Sequence, residues 1–333
     1  MLDVARHFFG GDDVKRFVDV IARYGLNRLH LHLTDDQGWR IEIKSWPRLA
    51  AVGGAQGGFY TQDEYAELVR FCAKRAVIVV PEIDVPGHVN AALVAYPELA
   101  PAGYAPAPYT GTDVGFSSLD VTNEATYDFL DDVVREVASL TPDPYFHIGG
   151  DEAAATAPED YLQFIQRAVE IVHRHGKRVV GWEEIARAEL PPGSIVQHWK
   201  DVALAVRAAE QGASIVMSPA SHAYLDMKYD ETTEPGTTWA GYVGVRDAYN
   251  WEPGDVLGVE AALWSETLES LADVEYMAFP RLLALAEIAS APPEERDWED
   301  FRVRLADEGT RLAASGVNFF RSPEILWPDS ARS

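Results

Sequence analysis

Eight short apolar runs, separated by amphipathic stretches or long loops, recur from one end of this 333-residue chain to the other. That alternation constrains the fold more than any other feature of the sequence. Strands are predicted over residues 2–5, 28–33, 77–83, 145–148, 178–181, 195–197, 214–217 and 256–261. Helices are predicted over 12–24, 62–74, 124–140, 158–175, 202–211 and 271–288, with a last amphipathic segment over 298–314. Thr61-Gln-Asp-Glu64 reads as a capping box, in which the threonine oxygen and the glutamate satisfy exposed backbone donors. Gly25 and Gly176 read as left-handed helix terminators. Eight strand-then-crossover units predict an α/β fold, a (β/α)8 TIM barrel spanning residues 1–333 as one catalytic unit. A doubly wound sheet is the rival, but it places a glycine-rich phosphate loop after its first strand, and none follows residues 2–5.

Charge and composition exclude several functions. With 28 Lys+Arg against 53 Asp+Glu, the net charge of −25 argues against a nucleic-acid or anionic-membrane surface, each of which needs a basic stripe. Cys72 is the single cysteine, which excludes an internal disulfide framework and a cysteine zinc site. No apolar run approaches the roughly 18 residues of a membrane span. The opening Met1-Leu-Asp-Val-Ala has no basic region ahead of an apolar stretch, so no signal peptide is expected there. The first strand begins so early that upstream sequence is expected to be missing. Residues 103–115, rich in Gly, Pro and Ala, read as a long loop after the third strand. Nine Trp and fourteen Tyr, many beside Gly or acidic residues, suit either ordinary packing or the apolar faces of sugar rings.

In a barrel, chemistry sits where strands end and their following loops begin. Those positions hold Arg6; Asp35 and Asp36 in T-D-D-Q-G-W; Asp84 and His88 in P-E-I-D-V-P-G-H; and His147, Asp151 and Glu152 in H-I-G-G-D-E. Later come Trp182, Glu183 and Glu184, then Gln197-His198-Trp199, and finally Trp264 and Glu266 in L-W-S-E. Any one of these could cap or pack; their gathering on one rim predicts a site. Asp151 and Glu152 stand out. Adjacent carboxylates raise each other's cost of ionisation, so one can keep its proton while its neighbour is charged, as acetal cleavage requires. The two preceding glycines are expected to let substrate approach the backbone. His30 and His32 allow a second reading, a metal hydrolase, because with His88, His147, Asp35 and Asp151 a ligand set can be drafted. Both histidines lie inside the second strand, however, where hydrogen-bonded core imidazoles are the commoner case.

At these residues the sequence resembles the family 20 glycoside hydrolases, the β-N-acetylhexosaminidases. The matching segments L-D-V-A-R-H-F-F, L-H-L-H-L-T-D-D-Q-G-W-R, P-E-I-D-V-P-G-H, H-I-G-G-D-E, G-W-E-E, Q-H-W, A-Y-L-D-M-K-Y, W-A-G and L-W-S-E run in order from Leu2 to Glu266. The family's usual small α/β domain ahead of the barrel is not matched, and contacts made by the loop after the third strand do not transfer. The resemblance implies substrate-assisted retention, in which the sugar's 2-acetamido oxygen attacks the anomeric carbon to give an oxazolinium intermediate. It implies Glu152 as general acid and then base, Asp151 holding the acetamido N–H, and Tyr224 donating to the acetamido oxygen. Trp182, Trp199 and Trp239 would wall that group, and Trp264 would lie beneath the ring. Arg6, Asp226 and Glu266 would bind hydroxyls; Asp35, Asp84, His88 and His147 would support the acid, with Asp151 charged while Glu152 is protonated. The implied partner is a small carbohydrate, with neither metal nor organic cofactor. A disaccharide-releasing relative and a non-catalytic sugar-binding barrel are the remaining alternatives.

Overall fold

The computed structural model describes residues 1–55 and 57–329. Eight parallel strands form one sheet in chain order: β1 (Leu2–Asp3), β2 (Arg28–His32), β3 (Ile78–Glu82), β4 (Tyr145–His147), β5 (Arg178–Trp182), β6 (Ile195–His198), β7 (Ser214–Met217) and β8 (Gly258–Val259). The sheet curls shut where Leu2 bridges Leu263, with Asp3 N–H donating to Leu263 O at 3.0 Å. This is the predicted (β/α)8 barrel. Its outer layer includes α1 (Gly11–Ile21), α2 (Gln62–Ala73), α3 (Glu124–Leu140), α4 (Pro158–Arg174) and α5 (Val202–Glu210). The capping box at Thr61 and Glu64 forms, and Gly25 and Gly176 each take φ 74°.

The strand of residues 28–32 shows how sequence sorts the two faces. Leu29 and Leu31 alternate with His30 and His32, and all four are buried. Branched aliphatic residues usually fill the centre of such a barrel. Here His30, His32, Glu82, His147 and Trp182 bond or stack with one another instead.

Two departures from the predicted elements have local causes. The helix expected over 271–288 is broken into α6 (Leu271–Ala278) and α7 (Arg281–Ser290). Pro280 has no N–H to continue the ladder and pushes Phe279 out of helical space, to φ −104° and ψ 135°. Between β7 and β8 the crossover is an irregular excursion that carries Tyr224, Asp226 and Trp239, with only two short helices, Ala220–Ala223 and Val245–Tyr249. Buried Arg281 pins that excursion by donating to the carbonyls of Leu225, Met227 and Val243, each at 2.7 Å. Nothing in the periodicity pointed to Arg281; a lone cation inside the apolar R-L-L-A-L-A run was the available signal. The final α8 (Trp298–Ala314) has the predicted bounds.

Candidate active site

At the seam where the sheet closes, Asp3 accepts from the backbone N–H groups of Ala5 (2.8 Å), Arg6 (3.1 Å) and Ser265 (2.9 Å). It thereby fixes the rim at both ends of the chain. Arg6 projects from this seam between carboxylates, 2.8 Å from Asp35 and 3.9 Å from Glu266, with its guanidinium 4.9 Å from the Trp264 ring centre. Burial opposes the charge on Arg6, yet Asp35, Glu266 and Asp3 overcome it and hold its pKa well above the usual value.

From Arg6 a chain of alternating charge leads to the acidic pair. Asp35 accepts from His32 Nε2 at 2.7 Å and from His88 Nδ1 at 3.2 Å. Burial works against ionised Asp35, but Arg6 and His88 keep its pKa far below the carboxylate range. His88 in turn faces both Asp151 and Glu152, its Nε2 being 3.6 Å from an oxygen of each. Burial disfavours its charged form, and Asp35 and Asp84 more than compensate, so its pKa lies well above that of a free imidazole. Among the described residues, three non-glycine residues adopt positive φ, and two are His88 (55°) and Glu152 (45°). Such backbone costs roughly 1–3 kcal/mol per residue and persists where surroundings impose it.

The two glycines ahead of the pair answer to protein neighbours. A Cβ on Gly149 would lie 1.8 Å from Asp84 Oδ1, and one on Gly150 would lie 2.5 Å from Ile185 Cγ2; φ is 65° and 95°. The expectation that they admit substrate is therefore replaced: their bareness lets Asp84 reach the chain, where its Oδ1 accepts from Gly150 N–H at 3.1 Å. Nor is the pair a helix cap, since α4 starts only at Pro158.

Burial is unequal within the acidic pair. Asp151 is buried, whereas the Glu152 side chain retains 32 % exposure. Burial, reinforced by Glu152 and only partly offset by His88, pushes the Asp151 carboxyl up to about 6. Desolvation therefore acts on Asp151 more than on its more open neighbour. Burial and then Asp151 raise Asp84, and the same two causes bring Glu184 to about 8. Glu184 accepts from Trp199 Nε1 at 3.1 Å; G-W-E-E placed it at the rim, but without a role.

Near Asp151, whose charge acts on the Tyr224 phenol, the aromatic rings form a wall. Trp182 lies 5.7 Å from Trp264, Trp264 lies 6.1 Å from Tyr224, and Tyr224 stacks on Trp199 at 6.2 Å and 11°. Trp239 meets both Trp199 and Tyr224 edge-on at 6.0 and 5.8 Å and is itself 55 % exposed. Asp226 is buried, with Oδ1 lacking any hydrogen-bond partner, and burial plus nearby Glu266 raise its pKa well above normal. The sequence-derived residues thus converge on one mouth, except His147, which lies deeper. Burial lowers its pKa, its Nδ1 accepts the Gly149 N–H at 3.0 Å, and its ring stacks on His30.

Sequence reasoning passed over the anchor beneath them. Glu82, wholly buried at the barrel axis, accepts from Trp182 Nε1 at 2.9 Å with one oxygen and from His30 (3.0 Å) and His32 with the other. It braces the aromatic wall and the Asp35–His88 chain together. His30 and His32 each spend both ring nitrogens on carboxylates, His30 on Glu82 and Glu260 and His32 on Glu82 and Asp35. Glu82→Gln cannot accept from both a tryptophan and two imidazoles. Stability should fall by about 3–5 kcal/mol, and activity at least tenfold, though Glu82 reaches no substrate. Urea denaturation alongside initial rates checks both. A separate cavity of about 460 Å³ at the opposite end of the barrel, lined by Phe17, Leu29, Val80 and Leu282 among others, contains none of the rim carboxylates.

A parallel barrel that gathers paired acids, aromatic rings and buried carboxylates at one rim places this chain among the glycoside hydrolases. The catalytic-domain model of glycosyl hydrolase family 20 matches residues 1–162 and 156–292. The chain is similar to a β-N-acetylhexosaminidase of Cellulomonas fimi, 48 % identical over 98 % of this chain and 70 % of the relative. It is also similar to a β-hexosaminidase of Porphyromonas gingivalis, at 38 % over 96 % and 46 %. Among solved structures it matches the GH20 β-N-acetylhexosaminidase of Streptomyces coelicolor A3(2), with TM-score 0.95, 47 % identity and coverage of 98 % and 71 %. A mutant Streptomyces plicatus β-hexosaminidase in complex with its product GlcNAc matches with TM-score 0.96, 50 % identity and coverage of 98 % and 70 %. The chain belongs to glycosyl hydrolase family 20, the β-N-acetylhexosaminidases.

Proposed function

We propose that this chain is a retaining exo-β-N-acetylhexosaminidase that releases terminal non-reducing N-acetylglucosamine or N-acetylgalactosamine through an oxazolinium intermediate. The observation that carries the reading is the pairing of Asp151-Glu152 with a wall of Trp182, Trp264, Tyr224 and Trp199. An N-acetyl group held against that wall is already positioned beside the anomeric carbon, and such positioning can remove roughly 7–11 kcal/mol of barrier. No enzyme nucleophile is then needed. Tyr224 donates to the attacking oxygen; burial and then Asp151 raise the phenol's pKa, so it stays a donor. Asp151 accepts the acetamido N–H and balances its growing positive charge. Glu152, the more open of the two acids, protonates the departing oxygen and later takes a proton from water. Arg6, Glu266 and Asp226 read the sugar's hydroxyls; leaving one of these buried groups unmatched costs about 1–3 kcal/mol and excludes sugars that lack the partner.

The test is release of nitrophenol from the two N-acetylhexosaminides and from the plain glucoside, with a thiazoline analogue of the bicyclic intermediate as inhibitor. Turnover of the N-acetyl substrates alone and strong thiazoline inhibition are expected, with no loss on chelation. Comparable hydrolysis of the plain glucoside would defeat the mechanism.

A further inference from the structure

The segment after β3 is where family contacts could not be carried over, and it lies against the acid. A Cβ on Gly115 would approach Glu152 O to 3.0 Å and Ala154 Cβ to 3.3 Å, so the chain passes directly beside the Glu152 backbone. On either side of that point the segment is fixed to the rim. Ser117 Oγ donates to Asp36 and accepts from Val89 N–H, while Asn90 Nδ2 donates to Ala107 O at 2.9 Å. Gln37 bridges Gly111 O (2.8 Å) to Arg6 Nε (3.3 Å).

This anchored segment displays apolar side chains to solvent. Ser117 is buried while its neighbour Phe116 is 45 % exposed, and Phe116 packs on Tyr109 with ring centres 4.6 Å apart. The Tyr109 hydroxyl accepts the Asp113 N–H at 2.6 Å, which sets the ring in place. An exposed Phe116 ring backed by half-buried Tyr109 on tethered backbone loses little further entropy when something stacks on it.

We infer that Phe116 and Tyr109 form a leaving-group subsite that stacks the apolar face of the second sugar in a β-linked oligosaccharide. The inference rests on the reading of Glu152 as the acid: the group it protonates departs on its side of the pocket, and the segment beside its backbone is the one that carries this pair. Trp239 and Tyr242, 55 % and 52 % exposed, come from the excursion between β7 and β8; they belong to a different loop and are not required by the proposal. The ligand class is an N-acetylhexosamine oligosaccharide, whose second ring offers C–H groups on one face and hydroxyls at its edge.

The experiment compares kcat/KM for a β-linked N-acetylglucosamine disaccharide with kcat/KM for the methyl glycoside of the same sugar. Phe116→Ala should lower the ratio of the two about tenfold, chiefly through KM for the disaccharide. Phe116→Trp should restore or exceed the original ratio, which a merely misfolded alanine variant would not predict. A ratio within twofold of the parent in Phe116→Ala would overturn the subsite. Thiazoline inhibition of the unaltered protein tests the mechanism separately, because that analogue has no leaving group; its failure would strike the reading of the pocket.

Discussion

Glu152→Gln should lower kcat for oligosaccharide substrates by about 10²–10⁴-fold while costing far less with activated phenols. A glutamine keeps the size and the 3.6 Å approach to His88, but has no acidic proton. A sugar alkoxide is a poor leaving group and needs that proton; a nitrophenolate departs almost without it. The ratio of the two losses is the diagnostic quantity, obtained by measuring both substrates on one preparation. Equal losses would show that the variant had disturbed the acetamido pocket and would remove Glu152 from the role of acid.

Asp151→Asn has two expected effects of opposite sign. Activity falls about 10²–10³-fold for every leaving group, because the amide cannot offset charge on the acetamido nitrogen. Stability rises. In the folded protein burial lifts Asp151 to about 6 from the ordinary 3.8, so at pH 7 holding it ionised costs on the order of 3 kcal/mol. The sign follows from a folded pKa above the unfolded one. The penalty is absent below about pH 4, grows as pH rises towards 6 and is constant beyond. The variant should therefore melt a few degrees higher than the parent at pH 7 and no higher at pH 4. In the parent, kcat/KM should fall on the acid side with an apparent pKa near 6, as Asp151 takes up a proton. That limb should vanish in Asp151→Asn. An acid limb that survives the substitution would assign it to another group.

Periodicity and motif spacing made the barrel and most of the rim legible, because a strand that ends at a fixed point in its repeat must deliver its next residues to one face. Arg6, Asp35, Asp84, Asp151 and Trp264 could be named for that reason. What escaped was whatever depends on distance across the barrel. Glu82 looked like an ordinary member of P-E-I-D until the closed sheet brought it against His30, His32 and Trp182. Gly149 looked like room for a substrate until Asp84 was found to occupy the space. Adjacency in sequence is symmetric, whereas burial is not, and only the fold says which of two neighbours, Asp151 or Glu152, is out of water. Arg281 escaped because its partners are backbone carbonyls of an irregular loop, which leave no pattern in the side chains.

The rivet at Asp3 ties residues 5–6 to residue 265, so Arg6 and Glu266, the two residues proposed to read the sugar's hydroxyls, arrive from positions some 260 residues apart. A sugar gripped by both acts as a clasp on the circumference of the barrel. At a hundredfold excess over its Kd a ligand adds about 2.7 kcal/mol to the folded state. Any partial opening that parts the first strand from the last forfeits that gain, so amide exchange around Asp3 and Leu263 should slow more on inhibitor binding than exchange in helices on the far side of the ring.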